Sequence, residues 1–137
     1  MKILNCLLIG LALGLPTLAQ ASSEEPWVAP LRSARKVNPV PADAVSFTRG
    51  KALYIKNCLS CHGPAGKGDG PAVKDLDTDP GDITSKQTRG ESDGALFWKI
   101  TEGRKPMPAF EKTLSDEDRW DMVNYMRKLI AKETPKP

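Results

Sequence analysis

Residues 57–71 read NCLSCHGPAGKGDGP, and Cys58, Cys61 and His62 within them are two of the chain's three cysteines and its only histidine. Two thiols three positions apart, followed at once by an imidazole, admit three chemistries. A thiol–disulfide oxidoreductase sets C-x-x-C at a helix start beside a sheet, and this sequence has no apolar/polar alternation long enough for one. A structural zinc site needs four ligands, one more than Cys58, Cys61 and His62 provide. The third chemistry is covalent haem attachment, in which each thiol adds to a vinyl group and the adjacent histidine reaches the iron. A short turn then holds both sulfurs along one edge of the ring and directs the imidazole beneath it.

A haem iron has two axial positions, and no second histidine exists to fill the other. Methionine, lysine, water or nothing remain. Met1 lies at the chain start, and Met122 and Met126 recur at helical spacing with other apolar residues, where packing accounts for them. Met107 differs. It lies 45 residues after His62 in RKPMPAF, held between two prolines that forbid regular structure. A stiff loop presenting one thioether suits a metal better than a core, and we assign Met107 as the second axial ligand on the precedent of Met/His ligation.

Several elements must position these groups. The opening MKILNCLLIGLALGLPTLAQA, residues 1–21, has a basic residue at Lys2, an apolar run to Leu15, Pro16, and small residues at Ala19 and Ala21. This is the layout of a cleaved signal peptide; the run is too short and too broken for a spanning helix of about 20 residues. Cleavage removes Cys6 and leaves Cys58 and Cys61 as the only thiols of an exported, periplasmic chain. Residues 22–42 hold four prolines and no sustained apolar period, which predicts an extended lead-in whose Trp27 either docks on the domain or belongs to a mobile arm. The domain proper is placed at 43–132, with a short tail at 133–137.

Phe47, Gly50, Tyr54 and Cys58 recur every three or four residues, so a helix beginning near Ser46 ends at the first cysteine. PAVKDL suits a single turn with Pro71 at its first position, and 77–90 reads as irregular surface loop. Ser92 caps a helix carrying Leu96, Phe97 and Ile100, which Gly103 closes. A third helix opens at Ser115 with acidic residues in its first turn and Arg127 and Lys128 toward its end. Met122, Val123, Met126, Leu129 and Ile130 form its apolar face. The result is an all-α domain with three to four short helices, long loops and a thin core, the kind of small domain that a bound group completes. Loss of Lys2 leaves 19 basic against 17 acidic residues, too balanced and too interspersed to suggest nucleic acid.

CLSCHG, a glycine-rich stretch, a later MP and the C-terminal LSDEDRWDMVNYMRKL, in that order, resemble a monohaem class I cytochrome c over about residues 44–131. The resemblance implies one covalent haem c and a fold in which the first and last helices cross closely, Gly50 and Tyr54 matching on one and Met122 and Tyr125 on the other. It also implies that the Pro71 carbonyl braces the imidazole of His62, that Asp82, Ile83 and Thr84 flank the haem, and that Trp98 or Arg104 approaches a propionate. Lys67, Lys74, Lys99, Lys105 and Lys112 are spread through segments near the implied haem edge. The implied function is one-electron transfer between redox proteins in an exported compartment, not catalysis, with no membrane span in the mature chain. Two alternatives stand beside it: a haem peroxidase or gas sensor with an open sixth position, and a permanent electron-transfer subunit of a larger respiratory or dehydrogenase complex.

Overall fold

The computed structural model describes residues 25–133. The signal peptide assigned to 1–21, the first residues of the lead-in and all but the first residue of the tail lie outside the described residues. The described chain is helical: α1 (Leu31–Ala34), α2 (Ala44–Asn57), α3 (Leu59–His62), a 3-10 turn (Val73–Asp75), α4 (Lys86–Gly90), α5 (Asp93–Glu102) and α6 (Asp116–Lys132). Among the described residues the only β pairing is one isolated bridge, between Arg104 and Met107.

The three long helices begin where their capping chemistry places them. Asp43 accepts from the backbone N–H groups of Val45 (3.0 Å) and Ser46 (2.9 Å), so α2 starts two residues before the expected Ser46. Ser92 caps α5, and Gly103 ends it at φ +63°. Ser115 and Asp118 satisfy each other's backbone N–H groups in a reciprocal capping box at the start of α6.

Helices α2 and α6 cross in contact, with Gly50 facing the Asp121 backbone and the Tyr54 and Tyr125 rings 5.3 Å apart. Asn124 donates to Ser46 Oγ across the crossing (2.8 Å). Behind it Phe97 of α5 stacks on Trp120 at 4.0 Å. Tyr54, Leu96, Phe97, Met122, Val123 and Leu129 lead the buried core. Each such aliphatic or aromatic side chain contributes about 2 kcal/mol on burial, and together they fix α5 and α6 as one wall of the site.

Two segments differ from the sequence-based expectation. The stretch 77–90 is not irregular throughout: Ser85 accepts from Thr88 N–H and starts the single-turn α4. A turn so short carries no apolar period, so only its cap was available as a signal. The lead-in from residue 25 to 42 is extended apart from α1, but it is docked: Ala29 is buried and Asn38 donates to Asn124 Oδ1 at 2.8 Å. Its prolines limit regular structure to α1, and side chains of the domain take up carbonyls left outside its hydrogen bonding, as Asn124 does for Val40 (3.2 Å) and Ser92 for Ala34 (2.6 Å).

Candidate functional site

Cys58 ends α2 and begins α3. Its N–H donates back to the Tyr54 carbonyl (2.8 Å), and its own carbonyl accepts from Cys61 (3.1 Å) and His62 (2.9 Å). This turn sets both cysteines and the histidine on one short helical hook. Gly63 must turn the chain at once, and does so at φ +73°, a conformation that L side chains rarely adopt. The glycine-rich loop then folds back over the hook: Gly68 donates to His62 O, Gly70 to Cys61 O and Ala72 to Ser60 O, at 2.8–3.0 Å. Tyr54 locks the arrangement through its hydroxyl, which donates to Gly63 O at 2.7 Å. The glycines following the motif are therefore the means by which the hook's free carbonyls are satisfied within one loop.

The hook opens on a cleft in two parts of about 150 and 130 Å³. Five residues line both parts: Trp27, Cys58, His62, Pro80 and Met107. One part is walled chiefly by Ile83, Leu96, Ile100, Met122 and Met126, and the other by Cys61, Leu76, Arg104, Pro108 and Phe110. Met107 reaches this position from a tight turn in which its N–H and carbonyl both pair with Arg104, at 2.8 and 3.1 Å. Cys58 and Cys61 are free thiols, and burial pushes the Cys58 thiol up to about 12.

Burial also lowers the His62 pKa below the ordinary histidine value, opposed in part by the nearby Gly81 backbone. The imidazole is thus held neutral, the form that ligates a metal. Its Nδ1 is buried without a hydrogen-bond partner. A buried nitrogen left unpaired, two free thiols on the same hook and a thioether across an apolar cleft fit a haem. The nitrogen and sulfur donors suit iron, and the apolar walls suit a porphyrin face.

The structure brings Cys58, Cys61, His62 and Met107 to one cleft. It does not bring in Pro71, which is exposed and lines neither part. The backbone group that bears on the imidazole is that of Gly81. Asp82 and Ile83 border the cleft, while Thr84 is buried behind them, accepting from Lys67 (2.6 Å) and donating to Asp82 (2.6 Å). Arg104, Lys99 and Lys105 line it, whereas Trp98 packs on Trp27. Of the two methionines assigned to helix packing, Met122 is a core residue and Met126 a partly buried one packed against the core, and both also form cleft wall. Trp27, Pro80 and Glu91 were not legible as wall residues, because nothing in their local sequence encodes the distance to the hook.

Residues 45–126 match the family model for cytochrome c oxidase, cbb3-type, subunit III. The chain is 31% identical over 85 residues to cytochrome c6 of Porphyra purpurea, covering 62% of this chain and 73% of that one. It is 30% identical over 94 residues to the cbb3-type cytochrome c oxidase subunit CcoP of Azospirillum brasilense, covering 68% of this chain but 32% of the subunit. Among solved structures, a chain of the reducing HAO-like protein complex of Kuenenia stuttgartiensis superposes with a TM-score of 0.62 at 31% identity, over 67% of this chain and 47% of that chain. The match therefore spans less than half of the last two proteins.

Proposed function

We infer the function from a family premise: the chain belongs to the class I c-type cytochromes, within the family described as cytochrome c oxidase, cbb3-type, subunit III. It is a haem c electron carrier. Our assignment of its parts is that Cys58 and Cys61 would form the two thioether links, and that His62 and Met107 would hold the iron. The single observation supporting this is that His62, Met107 and Cys58 are common to both parts of one cleft, although 45 residues separate the two ligands in sequence.

When bound, haem c supplies an iron that exchanges one electron at a time. The chain's residues do the rest. Cys58 and Cys61 would hold the ring to the hook, and the Tyr54–Gly63 hydrogen bond holds the hook to α2. His62 presents a neutral nitrogen, and Met107 a soft sulfur that favours the reduced state and raises the potential. Ile83, Leu96, Ile100 and Met122 keep water from one face, so little reorganises when the charge changes. Arg104 and Lys105, exposed at the rim, bias the approach of a redox partner through a small transient interface. The leader-like residues 1–21 support export to the periplasm, and among the described residues no helix is long and apolar enough to cross a membrane. With His62 and Met107 both holding the iron, no position would be left open to a substrate, which favours transfer over catalysis.

Absorption spectra of the purified, matured protein test this reading. Oxidised and reduced forms should be low-spin, and the reduced form should not change with carbon monoxide. Carbon monoxide binding by the untreated reduced protein would mean an open position and a peroxidase or sensor instead. A second reading, a permanent subunit, is favoured by the names of two relatives, one an oxidase subunit and one part of a complex. The native mass after gentle purification separates a free carrier from that.

A further inference from the structure

Residues 25–41 run as a strap from the helix crossing to the cleft, anchored at three places. At one end Asn38 and Val40 are tied to Asn124. In the middle α1 lies on α5: the Ser92 hydroxyl, while capping α5, donates to Ala34 O at 2.6 Å. Gly94 leaves room for this contact, since a β-carbon there would stand 2.4 Å from Ser33 O and 2.7 Å from Lys36 O. At the far end Arg104 donates to Glu25 O (3.2 Å) and places its guanidinium 4.9 Å from the centre of the Trp27 ring. Lys99 lies 5.2 Å from that centre, and the Trp98 ring packs against it at 6.3 Å. Trp27 is thus held by two cations and a second indole, half-buried, lining both parts of the cleft alongside Met107. The family match begins at residue 45, after the strap has ended.

We propose that this strap is a built-in cover of the haem crevice and that Trp27 is its positioning residue, keeping the Met107 side closed to water and small ligands. The proposal rests on the haem reading above. An external ligand can displace a thioether only when the crevice opens, so its apparent affinity is reduced by the fraction of molecules that are closed. Loosening the strap therefore raises that affinity, with no change in the attachment hook.

The test uses matured holoprotein carrying Trp27→Ala, Trp27→Phe or Gly94→Ala, titrated with imidazole in the oxidised state by absorbance, with the reduction potential measured on the same samples. Trp27→Ala should bind imidazole about tenfold more tightly than wild type and show a lower potential. Trp27→Phe should recover most of the difference. Gly94→Ala, which keeps Trp27 but drives a methyl group into the strap backbone, should move both readouts in the direction of Trp27→Ala. Affinities within about twofold of wild type in Trp27→Ala, or in Gly94→Ala and Trp27→Phe should Trp27→Ala fail to accumulate, overturn the proposal. So does a response of Gly94→Ala without one of Trp27→Ala. The wild-type spectrum reports the axial assignment separately, and unaltered affinities count against the cover whichever group occupies the sixth position.

Discussion

Gly50 and Asp121 meet so closely at the α2–α6 crossing that a β-carbon on Gly50 would stand 2.1 Å from the Asp121 main-chain oxygen. The Tyr125 Cβ would be 2.9 Å away on the same side. Neither neighbour is the free end of a flexible side chain. Gly50→Ala should therefore force the helices apart and destabilise the holoprotein by about 3 kcal/mol, the upper end of ordinary overpacking costs. Denaturant unfolding followed by far-UV circular dichroism checks this, and an unchanged midpoint would mean that the crossing is looser than it stands here.

Three methionines reach the cleft, and their substitutions should separate. Met107→Ala should leave haem attached through Cys58 and Cys61 but lower the potential and let the reduced form bind carbon monoxide. Met122→Ala should keep the wild-type spectrum and lose about 2–5 kcal/mol of stability, because it empties a fully buried site. A wild-type spectrum and potential in Met107→Ala would exclude it as a ligand.

Tyr54 is buried, and its hydroxyl donates to Gly63 O at 2.7 Å. Tyr54→Phe removes the shorter of two hydrogen bonds to Gly63 O, leaving only the one from Gly66 N–H at 3.3 Å at the turn that holds His62, at a cost of about 1 kcal/mol. Thermal unfolding should report the loss with the visible spectrum retained. A shifted spectrum at full occupancy would instead mean that the bond sets the ligand geometry itself.

Asp82 gives a pH dependence of defined sign. The Thr84 hydroxyl, its backbone N–H and nearby Lys67 favour the ionised carboxylate and hold its pKa below the ordinary value. A depressed folded-state pKa contributes stability above the unfolded value, and that contribution is lost as pH falls through the folded one. Asp82→Asn should therefore be less stable than wild type at neutral pH, with the gap closing in strong acid. The effect is modest, since the group is partly exposed and screened. Melting temperatures against pH for the two proteins decide it; a gap that widens in acid would contradict the assigned cause.

How much was legible depended on how local the signal was. The attachment hook, the Ser92 and Ser115 caps and the apolar face of α6 are encoded by residues within a few positions of one another, and the structure has them where the sequence places them. Met107 was singled out by its prolines, a local feature, and by the lack of a second histidine, a compositional one. Pro71 was placed at the imidazole by family resemblance, and here it is exposed and lines neither part of the cleft. The strap was hardest to read. Its anchors pair Asn38 with Asn124 and Glu25 with Arg104, across 86 and 79 positions, and no periodicity reports such a distance.

By itself the sequence narrowed the chemistry: two thiols, one imidazole and one loop-borne thioether admit few cofactors, and the spacing of Cys58, Cys61 and His62 groups those three. Only the tertiary structure decided what surrounds that chemistry. Which walls close the cleft, which backbone bears on His62 and whether Trp27 lines the cleft with Met107 depend on backbone path and packing between distant segments. Those are set by the summed burial of the whole chain and not by any neighbourhood within it.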